Sequence, residues 1–391
     1  MAENKKQHYV PKFYMNNFAT NGKYYLLNIA NSKLMERIPI DDQCKKDYFY
    51  GSDLQIEKML SKKELEWSNT IKFVLDNKRI GSDNKYYLKE FVICQLQRTL
   101  YKNKQFKDII INGFYEVTKF DYNNKMIGLP ENAKEEVESF VDKKIYNKSD
   151  DKYNEKMLID LIPDLINEVD DLDLLLIDYG EQGRLVSSDN PVVTINMFEP
   201  HSIGLNNIGV ILLCPLSSRF LLVLYDPGVY TKYKGIDSIK VDDIEEMKEL
   251  NRMQYMQADS IIYSKYYIDI NIFDRYEEQR KEYINQQNVT MLSGLMGIHD
   301  KRLITNFPLS FANITHIFKR IPFLCKDSSI PRKCDKGWLD RIINRQEIMT
   351  VIPETKKLIL ENMTIKEFNR GCKRYVNAVE NYWRRNKTFV L

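Results

Sequence analysis

The stretch HYVPKFYMNNF, residues 8–18, places a histidine and four aromatic rings near the start of the chain. A terminus that frays in solvent is usually polar and dispensable. Here Tyr9 and Pro11 lead into an aromatic-rich turn of helix that ends at Phe18. We therefore expect the stretch to dock into the body by its rings. His8 is then either a hydrogen-bonded anchor or a general acid/base or phosphate ligand, because imidazole titrates near neutrality.

The composition is that of a globular protein with a sizeable core. Of 391 residues, 43% are hydrophobic and 12% aromatic, and the net charge is +3. The length predicts two domains or one elaborated domain. The small net charge excludes a polycation that coats nucleic acid with its whole surface. There is no CxxC pair, no signal peptide and no apolar run of membrane-spanning length, so we expect a cytoplasmic protein without membrane association.

The charge is distributed unevenly along the chain. Residues 331–391 hold fourteen Lys and Arg against seven Asp and Glu, which leaves a net −4 for residues 1–330. In the last helix the bases alternate with tyrosine and tryptophan, as in surfaces that bind single-stranded nucleic acid, and equally as on an ordinary amphipathic helix. The candidate nucleic-acid-binding residues are Lys373, Arg374, Arg384 and Arg385.

Two kinds of apolar periodicity predict an α+β fold. Residues 53–169 carry apolar side chains at three- and four-residue steps, which indicates helices, and one of these is predicted over residues 84–114. Residues 171–264 carry short apolar runs separated by turn residues, which is typical of core strands, and residues 21–40 read as a β-hairpin.

The expected architecture follows from this order of elements. We predict a helical layer packed on a small, mostly antiparallel sheet, with the amino-terminal motif at their junction. Residues 1–288 form this body, and residues 289–391 form a basic, mostly helical C-terminal appendage.

Glu57 and Glu64 are seven residues apart on the first long helix, so both carboxylates lie on nearly the same face. A carboxylate on an apolar stripe needs a cation, because burying it unpaired is costly. Arg98, in the next helix, is the natural partner, and Gln95 precedes it by one turn. The group is either a buried structural pair or a polar pocket between two helices.

The stretch SSDNPVV, residues 187–193, is a loop between two predicted core strands. Short polar side chains in this order bind their own backbone as Asx-type turns. Such loops also hold ligand-binding residues at the end of a sheet. Ser188, Asp189 and Asn190 are therefore either a self-satisfied turn or part of a site, in which Asp189 acts as a base or ligand.

These motifs, in this order, resemble the bacterial domain-of-unknown-function family 4238. Its members open with His-Tyr-Val-Pro-x-x-Tyr-Leu-x-x-Phe and carry Gln-x-x-Arg-Thr and Ser-Asp-Asn-Pro motifs. The resemblance covers roughly residues 7–265. Met15 replaces the common Leu, and Leu100 replaces the Pro that often follows Arg-Thr. The motif positions that the resemblance marks are His8, Tyr14, Gln95, Arg98, Ser188, Asp189 and Asn190.

The resemblance implies an accessory bacterial or phage protein of the kind found among mobile and defence genes, without implying a reaction. Our functional hypothesis is a phosphodiester-cleaving, nuclease-like toxin or anti-phage effector. In it His8 is the general acid/base, Arg98 stabilises charge on the phosphate, and Asp189 orients His8 or a water. The accompanying binding residues are Tyr14, Glu57, Gln95, Ser188 and Asn190.

Two alternatives remain open. In one, the motif residues are a structural network and the protein is a non-catalytic module that binds nucleic acid through the basic segment, or a protein partner from a neighbouring gene. In the other, the same pocket senses a nucleotide or another small molecule. The sequence has no P-loop, dinucleotide fingerprint, nucleophile elbow or zinc-protease motif. It therefore assigns no cofactor, and its four scattered histidines predict no metal site.

Overall fold

The computed structural model describes residues 6–280, apart from short gaps. The gaps are residues 53, 125–127, 145–152, 197–204, 206–209, 228–229, 231–232, 275 and 278–279. The predicted appendage, residues 289–391, lies outside the described residues. Its helices and its boundary with the body therefore stay predictions.

The predicted α+β class is confirmed, with helices concentrated between the first strands and the main sheet. Pro163 lies in the first turn of α7, where proline is tolerated because its missing N–H has no partner in the helix. The helices are α1 Lys12–Asn16, α2 Gln55–Asn77, α3 Lys85–Gln97, α4 Leu100–Asn124, α5 Ala133–Lys144, α6 Tyr153–Asp160, α7 Ile162–Glu168, α8 Ile244–Gln257 and α9 Asn271–Asp274.

The helix predicted over residues 84–114 is in fact two helices, so this prediction is wrong. Arg98 leaves the helical conformation with φ −90° and ψ 10° and ends α3. The Thr99 hydroxyl oxygen then accepts the backbone N–H of Lys102 at 3.1 Å, which caps the start of α4. The break turns Arg98 and Thr99 into the interior, where both are buried.

The strands form three sheets rather than the single small sheet that residues 171–264 predicted. A five-stranded sheet has the order β10-β5-β9-β8-β7, a four-stranded sheet the order β3-β2-β11-β6, and β1 pairs with β4. All pairings are antiparallel except that of β10 with β5. The strands are β1 Lys6–His8, β2 Lys23–Asn28, β3 Lys33–Pro39, β4 Lys45–Asp47, β5 Asp173–Asp178, β6 Ser187–Ser188, β7 Val193–Asn196, β8 Val210–Pro215, β9 Phe220–Tyr225, β10 Ser238–Lys240 and β11 Ile261–Ser264.

The five-stranded sheet is buried on both faces, which explains the unbroken apolar runs of β5, β8 and β9. Alternate residues of each strand point to opposite faces. Leu174 and Leu176 pack with the amino-terminal motif and the helices α2, α3 and α7. Leu175 and Ile177 pack with α8 and with residues of the four-stranded sheet. The sheet therefore separates two apolar cores.

The hairpin predicted over residues 21–40 is confirmed as β2 and β3. Two further strands, β11 and β6, extend the sheet from the β2 edge. β11 pairs antiparallel with β2, with Ile262 opposite Leu27 and Tyr263 opposite Leu26. The Tyr24 and Tyr263 rings stack with centroids 4.9 Å apart. β6, which carries Ser187 and Ser188, completes the sheet on the other side of β11.

The amino-terminal motif is docked as the sequence predicts. Tyr14, Met15 and Phe18 are fully buried, and Tyr9 is 6% exposed. The Tyr14 ring contacts Phe18 and Phe91, so the motif touches α3 directly. The motif thus lies between the helical layer and the sheets.

Candidate functional site

The Asp189 carboxylate is sealed inside the protein and bound to backbone amides. Its Oδ1 accepts the N–H of Asp259 at 2.9 Å, and its Oδ2 accepts those of Ser260 at 2.8 Å and Ile261 at 3.2 Å. The residue is 1% exposed. Two of these donors immediately precede β11 and Ile261 begins it, so Asp189 ties the loop after β6 to the neighbouring strand.

Two opposing influences act on the Asp189 carboxyl group. Burial and the nearby Asp259 carboxylate raise its pKa to about 7. The three amide donors act in the other direction, because they stabilise the ionised form. Both oxygens of Asp189 already accept from backbone amides, and at 1% exposure the carboxylate offers no open edge to a substrate from solvent.

Asn190 and Ser188 are also occupied by internal hydrogen bonds. The Asn190 amide donates to the Gln257 carbonyl at 2.8 Å, and its Oδ1 accepts from the Thr99 hydroxyl at 3.2 Å. The Ser188 hydroxyl oxygen accepts from the Gln254 amide and from the Asn190 backbone N–H. The loop therefore joins α8, the start of α4 and the four-stranded sheet.

Gln95 and Tyr14 attach the amino-terminal motif to the rest of the molecule. The Gln95 amide donates to the Tyr9 carbonyl at 3.0 Å. The Tyr14 hydroxyl donates to the Pro215 carbonyl at 2.5 Å and lies 2.9 Å from the Ser187 hydroxyl. Burial raises the pKa of Tyr14 well above its usual range. Both side chains are inaccessible to a ligand arriving from solvent.

Arg98 makes the pair that the sequence predicts with Glu64 and Gln95. Its Nη1 donates to Glu64 at 2.8 Å and its Nε to Gln95 at 3.0 Å. The Arg98 side chain is fully buried, whereas that of Glu64 is 29% exposed. The Nη2 atom of Arg98 has no hydrogen-bond partner among the described residues. Arg98 thus serves mainly as a buried link between α2 and α3.

Glu57 is half-buried near this pair. Burial and the Glu64 carboxylate raise its pKa, and the Arg98 guanidinium lowers it. The charge of Glu57 therefore acts on the same guanidinium as that of Glu64. This part of the prediction holds: two carboxylates one heptad apart face one arginine.

His8 lies at the edge of the body, in β1 opposite Lys45. Burial and the positive charges of Lys12 and Lys45 lower the pKa of its imidazole to about 4, against a backbone hydrogen bond to Asp41 that raises it. Its buried Nε2 atom makes no hydrogen bond within the described part of the chain. The ring is therefore neutral at pH 7 and retains one free nitrogen.

The three predicted catalytic side chains have separate sets of partners. Within the described residues, no hydrogen bond or ion pair joins any two of His8, Arg98 and Asp189. Arg98 is joined only indirectly to the stretch that carries His8, because the Gln95 side chain binds both the Arg98 Nε and the Tyr9 carbonyl. Their joint catalytic role stays a prediction.

Several residues of the network escaped the sequence analysis. Gln7 binds both sides of the turn before α2, through the Tyr50 N–H and the Gly51 carbonyl. Gln254 and Gln257 are three residues apart on α8, a spacing that places two amides on one face of a helix and was available as a signal. Thr99 had no such signal, because its partner Asn190 is 91 residues away.

Comparison with known proteins gives one match. A model of the family described as "Protein of unknown function (DUF4238)" matches residues 6–266. The chain belongs to this family. No curated protein and no solved structure is significantly similar to the chain. The DUF4238 match runs from β1 to the residues after β11, so it contains the whole hydrogen-bond network described above, and the predicted resemblance is confirmed.

The remaining predictions concern ligands and the C-terminal residues. No group of three or more histidine, cysteine or acidic residues suited to a metal ion is found among the described residues of this DUF4238 protein. No helix in that part of the chain is long and apolar enough to cross a membrane. Lys373, Arg374, Arg384 and Arg385 lie outside the described residues, so their role stays a prediction.

Proposed function

We propose that this DUF4238 protein is a non-catalytic module that binds nucleic acid. In this proposal the motif residues hold the fold together, and the basic segment, residues 331–391, provides the contacts to phosphates. The observation that supports it best is the occupation of the Asp189 carboxylate by three backbone amides. A group so bound and so buried is a fold determinant rather than a base that awaits a substrate.

The segment's charge supports a nucleic-acid partner. Residues 331–391 carry an excess of seven positive charges, whereas residues 1–330 have a net charge of −4, so the charge that attracts phosphates is concentrated in one part of the chain. The aromatic residues Tyr375, Tyr382 and Trp383 alternate with these bases, and rings in such positions stack on unpaired bases.

The test measures binding and cleavage in one sample. The 391-residue protein is mixed with labelled single-stranded and duplex DNA and RNA, with Mg²⁺ or Mn²⁺ present, and both fluorescence anisotropy and product length are recorded. We expect salt-dependent binding without cleavage. Changing Lys373, Arg374, Arg384 and Arg385 together to Gln weakens binding and flattens its salt dependence. Cleavage that disappears in an Asp189→Asn variant that remains folded would overturn the proposal.

A phosphodiester-cleaving effector is the second candidate, and His8 favours it. The His8 ring is neutral at pH 7, its buried Nε2 has no hydrogen-bond partner among the described residues, and the ring lies near the cations Lys12 and Lys45. Such a ring has the protonation state of a general base, and lysines near it attract phosphate. If the test above shows cleavage, His8→Ala abolishes it under this candidate. Cleavage that His8→Ala leaves unchanged excludes the mechanism.

A further inference from the structure

Exposed aromatic rings gather where α2 ends and α3 begins. Phe73 is 40% exposed, Tyr86 54% and Tyr87 36%. Phe73 lies beside the turn between the helices, since a Cβ on Gly81 would be 3.7 Å from its ring. Tyr86 and Tyr87 follow that turn, with ring centroids 5.6 Å apart. We call this surface the α2–α3 corner.

The same corner carries cations that form no ion pair with a described residue, although the charge of Lys78 acts on the Asp178 carboxylate, which pairs with Arg219. Lys72, Lys78 and Arg79 are exposed, and no ion pair joins them to another described residue. Lys78 adopts the left-handed conformation that ends α2, with φ 55°, and the buried Ile80 fixes the turn after it. The cations therefore project from a firmly anchored turn.

The acidic residues at the corner are fewer or already engaged. Asp83 accepts a hydrogen bond from Ser82, Asp237 pairs with Lys85 at 3.3 Å, and Asp76 is exposed on α2. The net charge of the α2–α3 corner therefore remains positive, and the three rings lie in the same short segment as the positive charges. Covering these rings with a partner would add free energy to the complex, because their exposed apolar area would leave water.

We propose that the α2–α3 corner binds single-stranded nucleic acid, with its rings stacking on unpaired bases and its cations contacting phosphates. Rings combined with a modest positive charge match this ligand, because every base has a stackable face and the backbone is anionic. A duplex offers no free base faces along its length. The inference takes its class of partner from the proposed function but places the contact on the folded body, away from the C-terminal segment.

The first test changes the rings. Binding of the 391-residue protein to a labelled fifteen-nucleotide oligo(dT) and oligo(U) is measured by anisotropy, with a duplex for comparison. We expect the double variant Tyr86→Ala/Tyr87→Ala to raise the Kd at least tenfold for both single strands. The matched control is Tyr267→Ala, which removes a ring that is 64% exposed elsewhere and leaves the Kd unchanged. Equal affinities for the ring variant and the control overturn the inference.

The second test changes the charges. For single strands, each phosphate contact contributes about 0.7 to the slope of log affinity against log salt concentration. Lys78→Gln/Arg79→Gln therefore lowers the slope by about 1.4. Its control, Lys23→Gln/Lys33→Gln, removes two exposed lysines of the β2–β3 hairpin and leaves the slope unchanged. An equal decrease of the slope in both variants would show non-specific charge attraction, and this result also overturns the inference.

A third measurement needs no substitution and separates this inference from the proposed function. A single strand containing 5-iodouracil is photo-crosslinked to the unaltered protein, and the attached residues are mapped by mass spectrometry. Crosslinks at Phe73, Tyr86 or Tyr87 support the corner, whereas crosslinks confined to residues 331–391 support the C-terminal segment alone. A third outcome is crosslinking at the corner alone, together with unchanged binding by the variant in which Lys373, Arg374, Arg384 and Arg385 are all changed to Gln. That outcome refutes the proposed role of the C-terminal segment and supports this inference. Absence of binding overturns both.

Discussion

At the scale of single residues, Asp189 is the most sensitive position in the network. Asp189→Asn replaces an acceptor oxygen by an amide that faces the backbone N–H groups of Ser260 and Ile261. We expect the free energy of unfolding to fall by about 2–4 kcal/mol, because buried donors lose their acceptor. Urea denaturation measures the change. The control Asp242→Asn, at an exposed position, stays within about 0.5 kcal/mol.

His8 gives the stability a dependence on pH. Its folded pKa of about 4 lies below the usual histidine value of 6.5, so between these values the unfolded chain binds more protons than the folded one. Stability therefore falls as the pH decreases through that window. From pH 7 to pH 4.5 we expect His8 to account for about 1–2 kcal/mol of the loss, a figure reduced for its partial exposure.

The His8 contribution is isolated with a His8→Asn variant. Its free energy of unfolding is measured in parallel with that of the unaltered protein between pH 4.5 and pH 7.5. Carboxylates that titrate in both proteins cancel in the difference. A difference that does not change with pH would show that Lys12, Lys45 and burial do not depress the His8 pKa.

At the scale of elements, the break between α3 and α4 depends on the hydroxyl group of Thr99. That hydroxyl caps α4 through the Lys102 N–H and also donates to Asn190. Thr99→Ala therefore destabilises the protein by about 1–2 kcal/mol. Thr99→Ser keeps the hydroxyl and retains most of the stability. Equal losses for the two variants in thermal or urea unfolding would assign the effect to the lost methyl group instead.

The break between α3 and α4 is also a feature that local sequence patterns could not predict. Local periodicity predicted α2 and the β2–β3 hairpin because their patterns are set by neighbouring residues. The pairing of Glu64 with Arg98 was also predictable, since a buried carboxylate requires a cation. The interruption of the helix at Arg98 was not predictable, because the adjacent Thr99 hydroxyl donates to Asn190 in a distant loop. The separate four-stranded sheet was hidden for the same reason, since β11 finds its partner β2 at the opposite end of the matched region.

At the scale of the whole molecule, residues 9–18 act as part of the core. Burying each large apolar side chain contributes about 1.5–3 kcal/mol, and five of them are buried in this stretch. They are Tyr9, Val10, Tyr14, Met15 and Phe18. Deleting residues 1–18 therefore removes free energy comparable to the total stability of about 5–15 kcal/mol of an ordinary domain.

We expect the deletion variant to lack a cooperative unfolding transition by circular dichroism. Lys12→Ala serves as the control, because the Lys12 side chain is 53% exposed and its ion pair with Asp41 lies in solvent, so the loss stays below about 1 kcal/mol. A truncated protein that unfolds cooperatively near the normal temperature would mean that the aromatic stretch merely covers the body.

The pairing of β2 with β11 also bears on how the chain is made. Asn28 is opposite Ile261, so about 230 residues must be synthesised after the hairpin before its partner strand exists. At roughly 5–20 residues per second, that interval lasts on the order of 10 to 50 s. During it the nascent hairpin displays an open strand edge to other emerging chains. We therefore expect the yield of native protein to depend on translation speed and on the spacing of ribosomes on the message.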